Sequence, residues 1–296
     1  MEKKNFVIDQ EKCIHCGLCI KDCTAGCIEF DVNNTPIMTE EGAQRCIECQ
    51  HCLAVCPVGA LSVLDKKPEN SELVFDSYNS DEILNLVKSR RSTRSYRQEN
   101  VSKEKIDKIK NMLNWTPTGC NFHKLHFSFI DDIEVMNDFR DYVNTKLIKV
   151  LTKTPVKGIM NKFSKYKDAF LNGEDVIFRG APHMVVVSVP ITAPCANIDP
   201  IIALSYLELY ANSLGIGTLW CGFAEVCLQF FPELCEYLEI PEGYKASYVM
   251  LFGNPDIKYK RTTQPENFEI VSVQKKDFKK LSLVQKIKRY FWNFIR

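Results

Sequence analysis

Eight cysteines fall into two copies of one pattern, Cys13-x2-Cys16-x2-Cys19-x3-Cys23 and Cys46-x2-Cys49-x2-Cys52-x3-Cys56, the second followed by Pro57. Three thiolates spaced so tightly on a loop can cap one face of a small inorganic cluster, and the fourth ligand then has to come from elsewhere. Zinc pairs two C-x2-C knuckles and has no use for the third cysteine of each run. Disulfides are the usual fate of many cysteines in a small secreted chain. Here the opening MEKKNFVIDQ lacks the apolar stretch of a signal peptide, and no apolar run approaches the roughly 18 residues of a spanning helix. The expected location is cytoplasmic, where metal ligation or redox chemistry is the natural use of thiols. Nine of the fourteen cysteines lie between Cys13 and Cys56, which confines this chemistry to one N-terminal module. Cys27 is spare in both patterns and reads as a small buried residue.

On this spacing, residues 5–64 resemble the bacterial two-cluster ferredoxins. The resemblance implies two 4Fe-4S clusters with exchanged fourth ligands: Cys13, Cys16, Cys19 and Cys56 on one, Cys46, Cys49, Cys52 and Cys23 on the other. Thr24 stands where that family usually has proline, while Pro57 is retained. Too few residues separate the ligands to build an ordinary apolar core, so the clusters themselves are expected to hold the module together. Its work would be to carry electrons one at a time.

A second set of residues is suited to a phosphate. Arg90-Arg91-Ser92-Thr93-Arg94 places three guanidinium groups and hydroxyls within five residues. Basic runs at helix ends are also commonly solvated. Downstream lie Pro117-Thr118-Gly119-Cys120-Asn121, Arg179-Gly180-Ala181-Pro182, Gly215-Ile216-Gly217-Thr218-Leu219-Trp220-Cys221-Gly222, Gly253-Asn254-Pro255 and Lys258-Tyr259-Lys260-Arg261. In that order and at those separations the segments resemble the nitroreductase family, over about residues 80–265.

That resemblance implies a homodimer of α+β fold with FMN bound at the subunit interface. Arg90, Arg91, Ser92 and Arg94 match its first FMN motif, and Lys260 and Arg261 its late basic pair; together they would hold the phosphate. Arg94 corresponds to a cation near the flavin pyrimidine, where positive charge stabilises the reduced anion. Pro117, Thr118, Gly119 and Asn121 match a loop that contacts the ring from the partner subunit. Trp220, Cys221 and Gly222 match a segment whose backbone lies beside flavin N5, and glycine there permits close approach. Where many members read Asn-x-Gln-Pro-Trp, this chain has Asn121-Phe122-His123-Lys124-Leu125. His123 is a candidate proton donor to substrate, although histidines in strand-entry loops more often serve structure. Cys120 and Cys221 are candidate redox thiols against the same structural alternative. No G-x-G-x-x-G opens a strand-turn-helix unit, so a Rossmann site is not expected; nitroreductase relatives bind NAD(P)H directly over the flavin.

The elements that must position these residues follow from apolar periodicity. The ferredoxin-like module is expected to span residues 1–64, with a polar, turn-rich linker over 65–80. Ser80 reads as an N-cap, and residues 81–90 and 103–114 read as helices on the core of a second domain. Strands are expected over 125–130, 184–190 and 246–252, with a long helix over 200–214 closed by Gly215. The second domain, residues 81–274, is therefore mixed α and β, and the chain as a whole is α+β.

Charge is nearly balanced, 38 Lys+Arg against 37 Asp+Glu, which gives no reason to expect nucleic-acid binding. Residues 275–296 are the exception, with eight cationic residues against one acid, Asp277. Leu281, Val284, Ile287, Phe291 and Phe294 are spaced as an apolar helical stripe. Such a tail fits either an arm across the partner subunit or an anionic membrane surface.

The combined expectation is an iron–sulfur flavoprotein oxidoreductase. A low-potential donor, ferredoxin-like or NAD(P)H, would supply electrons, and reduced FMN would pass them to a nitroaromatic, a quinone or an activated alkene. The competing expectation is a non-catalytic electron-transfer or redox-sensing protein acting on a protein partner.

Overall fold

The computed structural model describes residues 4–75, 77–153 and 165–294. Contacts divide the chain into two compact units, Met1–Arg261 and Thr262–Arg296.

The N-terminal module is built from short pieces: β1 (Val7–Ile8), α1 (Leu18–Asp22), β2 (Ile28–Phe30), β3 (Pro36–Met38), α2 (Glu40–Arg45), α3 (His51–Ala54) and β4 (Leu61–Ser62). β1 pairs antiparallel with β4, and β2 with β3. The sequence repeat is also a backbone repeat. α1 and α3 each start after a residue in the left-handed region, Gly17 (φ 68°) and Gln50 (φ 58°), each lying between the second and third cysteines of its motif. This turn sends the third cysteine onto a helix while the first two stay on the loop. The core is small, centred on Cys27, Ile28, Leu53, Leu61 and Val63. Cys27 is buried, as its spare position in the pattern suggests. Thr39 caps α2 by accepting from the Gly42 N–H at 2.8 Å.

The second domain contains α4 (Ser80–Ser89), α5 (Lys103–Leu113), β5 (His126–Ile130), α6 (Ile133–Lys153), α7 (Lys167–Leu171), β6 (His183–Pro190), α8 (Asp199–Ser213), β7 (Gly217–Trp220), α9 (Gly222–Phe230), α10 (Glu233–Tyr237) and β8 (Tyr244–Gly253). Its antiparallel sheet has the order β5-β6-β8-β7. Helices cover both faces, which explains the near-continuous apolar run of β6. Met184, Val186, Val249 and Leu251 face one core, with Phe139 and Val143 of α6 and Ala224 and Leu228 of α9. Val185, Val187, Met250 and Phe252 face the other, with Ile106 and Ile109 of α5 and Leu204 and Leu207 of α8. The two-residue strand period thus sorts alternate side chains into two separate cores.

The expected helix at 103–114 and long helix at 200–214 are present, and Gly215 ends the latter with φ 76°. The three expected strands are present too, within two residues at each end. Two expectations fail at α4. Its cap is Asn79, whose side chain accepts from the Asp81 and Glu82 N–H groups, rather than Ser80. Its apolar stripe also does not enter the core: Ile83, Leu84 and Val87 are about half exposed. The periodicity is a true helix signal, but the stripe it marks stays half exposed. The stretch expected as a polar linker exposes Leu73, Val74, Phe75 and Tyr78.

In the second unit, residues after 262 run without regular structure to α11 (Leu283–Phe294). Ser282 and Gln285 form a reciprocal capping pair at its start, with bonds of 3.0 and 3.3 Å. Val284, Ile287 and Phe291 are exposed along it, while the Phe294 side chain and Arg296 lie outside the described residues. Among the described residues no helix is long and apolar enough to cross a membrane.

Candidate functional site

The crossed grouping of cysteines implied by the ferredoxin resemblance can be compared with their packing. Cys13, Cys16, Cys19 and Cys56 line one apolar cavity, walled by Ile8, Leu18, Pro36 and Leu61. Cys19 is held above the ordinary thiol range by burial, with the Cys56 and Cys16 thiols adding to the effect. Burial likewise pushes the Cys52 thiol up to about 12, reinforced by its neighbours Cys49, Cys46 and Cys23. Cys56 and Cys23 therefore each lie beside the opposite half's motif. They also share one environment: Cys23 Sγ accepts from the Cys27 N–H at 3.3 Å, and Cys56 Sγ from the Ala60 N–H at 3.2 Å. Each donor sits four residues after its cysteine, where it can offset thiolate charge. Burial disfavours the thiolate at both Cys19 and Cys52, a cost that a bound cation would offset.

The Arg90–Arg94 run leaves α4 and lies along β7. Thr93 N–H donates to the Thr218 carbonyl at 2.8 Å, and Ser92 bridges Thr218 in parallel register. Thr93 is buried against Gly217, where a Cβ would run into the Thr93 side chain. Arg90 Nη1 donates to Glu208 Oε1 on α8 at 3.1 Å. Arg91 Nη1 donates to the Lys88 carbonyl at 2.7 Å, while its Nη2 is buried with no hydrogen-bond partner among the described residues. A buried, unsatisfied guanidinium nitrogen calls for an acceptor, and an anionic oxygen is the strongest one available.

The late basic pair arrives by strand-like pairing. Arg97 N–H donates to the Asn254 carbonyl at 2.9 Å, and Asp256 N–H to the Ser95 carbonyl at 3.1 Å. These bonds tie the chain just before Lys260 and Arg261 to the residue after Arg94. Lys260 and Arg261 themselves are exposed at the end of the compact unit.

The 117–123 loop is fixed in an unusual conformation. Gly119 N–H donates to the buried Asp199 Oδ1 at 3.0 Å, and His123 N–H to Thr118 Oγ1 at 2.9 Å. Gly119 admits no side chain, because a Cβ there would run into Cys195 Sγ. Cys120 (φ 55°), Asn121 (φ 52°) and His123 (φ 44°) all occupy the left-handed region. Three non-glycine residues in that region store strain, a feature typical of sites that need a particular backbone shape. Asn121 Nδ2 donates to the Ile47 carbonyl at 3.0 Å, inside the second cysteine motif. His123 and Thr118 also line a groove with Lys110, Leu125, Phe127 and Phe129.

Trp220 ends β7 and packs edge-on against Tyr248, ring centres 5.3 Å apart. Cys221 follows, buried, its Sγ 3.3 Å from the Ile177 carbonyl, and burial pushes its thiol up to about 11. That favours the structural reading of Cys221 over the redox one. Gly222 opens α9 beneath the Tyr248 hydroxyl, where a Cβ would sit at 3.3 Å. Glu208 and Asp199 had no motif to reveal them, since each acts through a partner far away in sequence.

Comparison with known proteins matches two segments of the chain to two different families. The model of the Nitroreductase family matches residues 87–254, and that of the 4Fe-4S dicluster domain matches residues 12–60. A ferredoxin from Pyrobaculum islandicum is 41% identical over 59 residues, which is 20% of this chain and 52% of that protein, so the chain spans about half of this curated relative. Among solved structures, a nitroreductase with bound FMN from Desulfitobacterium hafniense DCB-2 aligns with TM-score 0.53 and 24% identity, over 65% of this chain and 98% of its own. A nitroreductase with bound FMN from Bacteroides fragilis NCTC 9343 aligns with TM-score 0.52 and 21% identity, over 64% and 99%.

Proposed function

From the premise that this chain belongs to the nitroreductase family and carries a 4Fe-4S dicluster domain, we propose that it is an iron–sulfur flavoprotein oxidoreductase that draws electrons from a low-potential donor and reduces a small organic acceptor. The observation that carries this reading is that both modules lie within one compact unit, Met1–Arg261.

Cys13, Cys16, Cys19 and Cys56 would hold one 4Fe-4S cluster, and Cys46, Cys49, Cys52 and Cys23 a second. Arg90, Arg91 and Ser92, with Lys260 and Arg261, would hold the FMN phosphate, the unsatisfied Arg91 Nη2 supplying a ready donor. When bound, the clusters supply one-electron carriers and FMN supplies the conversion to two-electron chemistry. Around them the chain's own residues do the rest. Arg94 would place positive charge where it favours reduced flavin. Gly222 would keep the approach beside the ring clear of a side chain. The strained 117–121 loop would present Thr118, Gly119 and Asn121 to the flavin of a partner protomer in a homodimer. Cys221 stays a protonated, packed thiol near pH 7.

The donor is ferredoxin-like or NAD(P)H, and the acceptor is a nitroaromatic, a quinone or an activated alkene. Metal and flavin analysis of the purified protein is expected to give eight irons and one FMN per chain. Zinc, or four irons, would overturn the assignment of the quartets. Anaerobic reduction followed by a spectral screen of the three acceptor classes then identifies which one reoxidises the flavin; reoxidation by none of them would contradict the enzyme reading.

A further inference from the structure

The two cysteine loops of the N-terminal module do not face the same surroundings. The 46–50 loop abuts the second domain: the Ile47 carbonyl, between Cys46 and Cys49, accepts from Asn121 Nδ2 at 3.0 Å. Glu48 (φ 60°) and Gln50 (φ 58°) hold this loop in left-handed turns, and Lys4 pairs with Glu48 to brace it. Asn121 is equally fixed, since its own φ of 52° places it in the strained loop anchored by Gly119 to Asp199. The contact therefore joins two rigid segments, one from each module. An asparagine amide has further hydrogen-bonding positions, so this contact leaves Asn121 able to engage a second group.

The pseudo-equivalent 13–17 loop is open. Ile14, the counterpart of Ile47, is 59% exposed against 40% for Ile47. Cys16 is exposed, whereas its counterpart Cys49 is partly buried. His15 of this loop bonds within the module, Nδ1 lying 2.7 Å from the Asn34 carbonyl. Val58 and Phe30 extend the exposed apolar surface of the module.

We propose that the 46–50 loop is the port through which electrons leave the N-terminal module for the flavin site, with Asn121 as its positioning residue, and that the 13–17 loop is the port through which they enter. This assignment rests on the relay reading given above. Cys46, Cys49, Cys52 and Cys23 would hold the cluster that gives up one electron in each transfer, and FMN would take up two such electrons and one proton. A low-potential one-electron donor that meets the open 13–17 loop would restore each electron, with Cys13, Cys16, Cys19 and Cys56 holding the cluster that receives it.

The test uses the full-length holoprotein, reduced methyl viologen as donor, and anaerobic stopped-flow that separates cluster reduction from the later reduction of flavin. Ile47→Glu, which puts a charge where the two modules meet, is expected to slow the cluster-to-flavin phase about tenfold or more, leaving cluster reduction by viologen unchanged. Ile14→Glu is expected to change the viologen phase alone. Iron and FMN contents are verified for each, and Ile47→Ala serves if the glutamate variant loses iron. In Asn121→Leu, hydrogen exchange of the 46–50 backbone is expected to quicken, a readout independent of turnover. The reverse pattern, or an unaltered cluster-to-flavin phase in both Ile47 variants, would overturn the assignment. A parent protein whose clusters are reduced while its flavin never is would instead sink the relay reading itself.

Discussion

Arg90 and Glu208 form a 3.1 Å ion pair between a half-exposed guanidinium and a carboxylate that is nearly buried on α8. The pair fixes the first residue of the cationic run to a helix whose other end holds the 117–121 loop through Asp199. Removal of Arg90 should thus act twice. Arg90→Ala leaves the Glu208 carboxylate without its partner, which costs about 1–3 kcal/mol of stability, and it also weakens retention of FMN. Glu208→Gln should keep most of the stability while loosening Arg90. Its signature is faster FMN loss on dialysis with little change in thermal midpoint, and unchanged flavin occupancy in an Arg90→Ala, Lys260→Ala double variant would show that another site holds the phosphate.

Gly217 tests how the run is aimed. A methyl there would run into Thr93 Oγ1 and come within 2.8 Å of Thr93 Cβ, so Gly217→Ala should push the Arg90–Arg94 segment off β7. Overpacking of this kind costs about 1–3 kcal/mol. Combining it with Thr93→Gly should recover FMN content relative to Gly217→Ala alone. No recovery would mean that the segment's position does not govern flavin binding.

His183 predicts acid sensitivity. It is fully buried, its Nε2 accepts the Val101 N–H at 2.9 Å, and burial lowers its pKa from 6.5 to about 4, partly countered by Asp131 and Asp132. Because the unfolded chain binds the proton more readily, the stability tied to neutral His183 is present above pH 6.5. It is lost as pH falls toward 4, amounting to roughly 3 kcal/mol over that window. Urea unfolding of the parent between pH 7 and 4 should show this slope, and His183→Gln should flatten it. A parallel loss in both proteins would assign the acid sensitivity elsewhere.

Much of this architecture was legible in the sequence because it repeats or alternates. The two cysteine motifs state their own pseudo-symmetry, and the MVVVSV run of β6 reads as a strand, its burial on both faces being added by the structure. Illegible features were those set by tertiary contact. β7 is four residues beginning with glycine, and only Thr93 lying across Gly217 gives that glycine a purpose. α4 shows the converse, since periodicity identified a helix but could not say that Ile83, Leu84 and Val87 would stay uncovered within their own unit. The Asn121 contact with Ile47 spans 74 residues and uses a backbone carbonyl, which leaves no trace in side-chain pattern.

For the tail, truncation after Gln274 is expected to lower the stability of a homodimer more than it lowers affinity for anionic vesicles. The exposed stripe of Val284, Ile287 and Phe291 is apolar, and a second protomer would supply an apolar partner for it. Dilution monitored by light scattering, alongside vesicle co-sedimentation, compares the two effects. A dimer of unaltered stability that no longer binds vesicles would reverse the order.

The central claim is that electrons reach the flavin through the clusters, and Cys46→Ala tests it most directly. Cys46 lies outside every segment proposed to hold FMN, so the variant should lose one cluster and keep its flavin. Turnover of an acceptor driven by reduced ferredoxin or viologen should then fall sharply, while flavin reduced by NAD(P)H or chemically should still reduce the acceptor. Equal rates in variant and parent with ferredoxin-type donors, FMN content and folding being verified, would contradict the relay and leave the clusters a structural or sensory role.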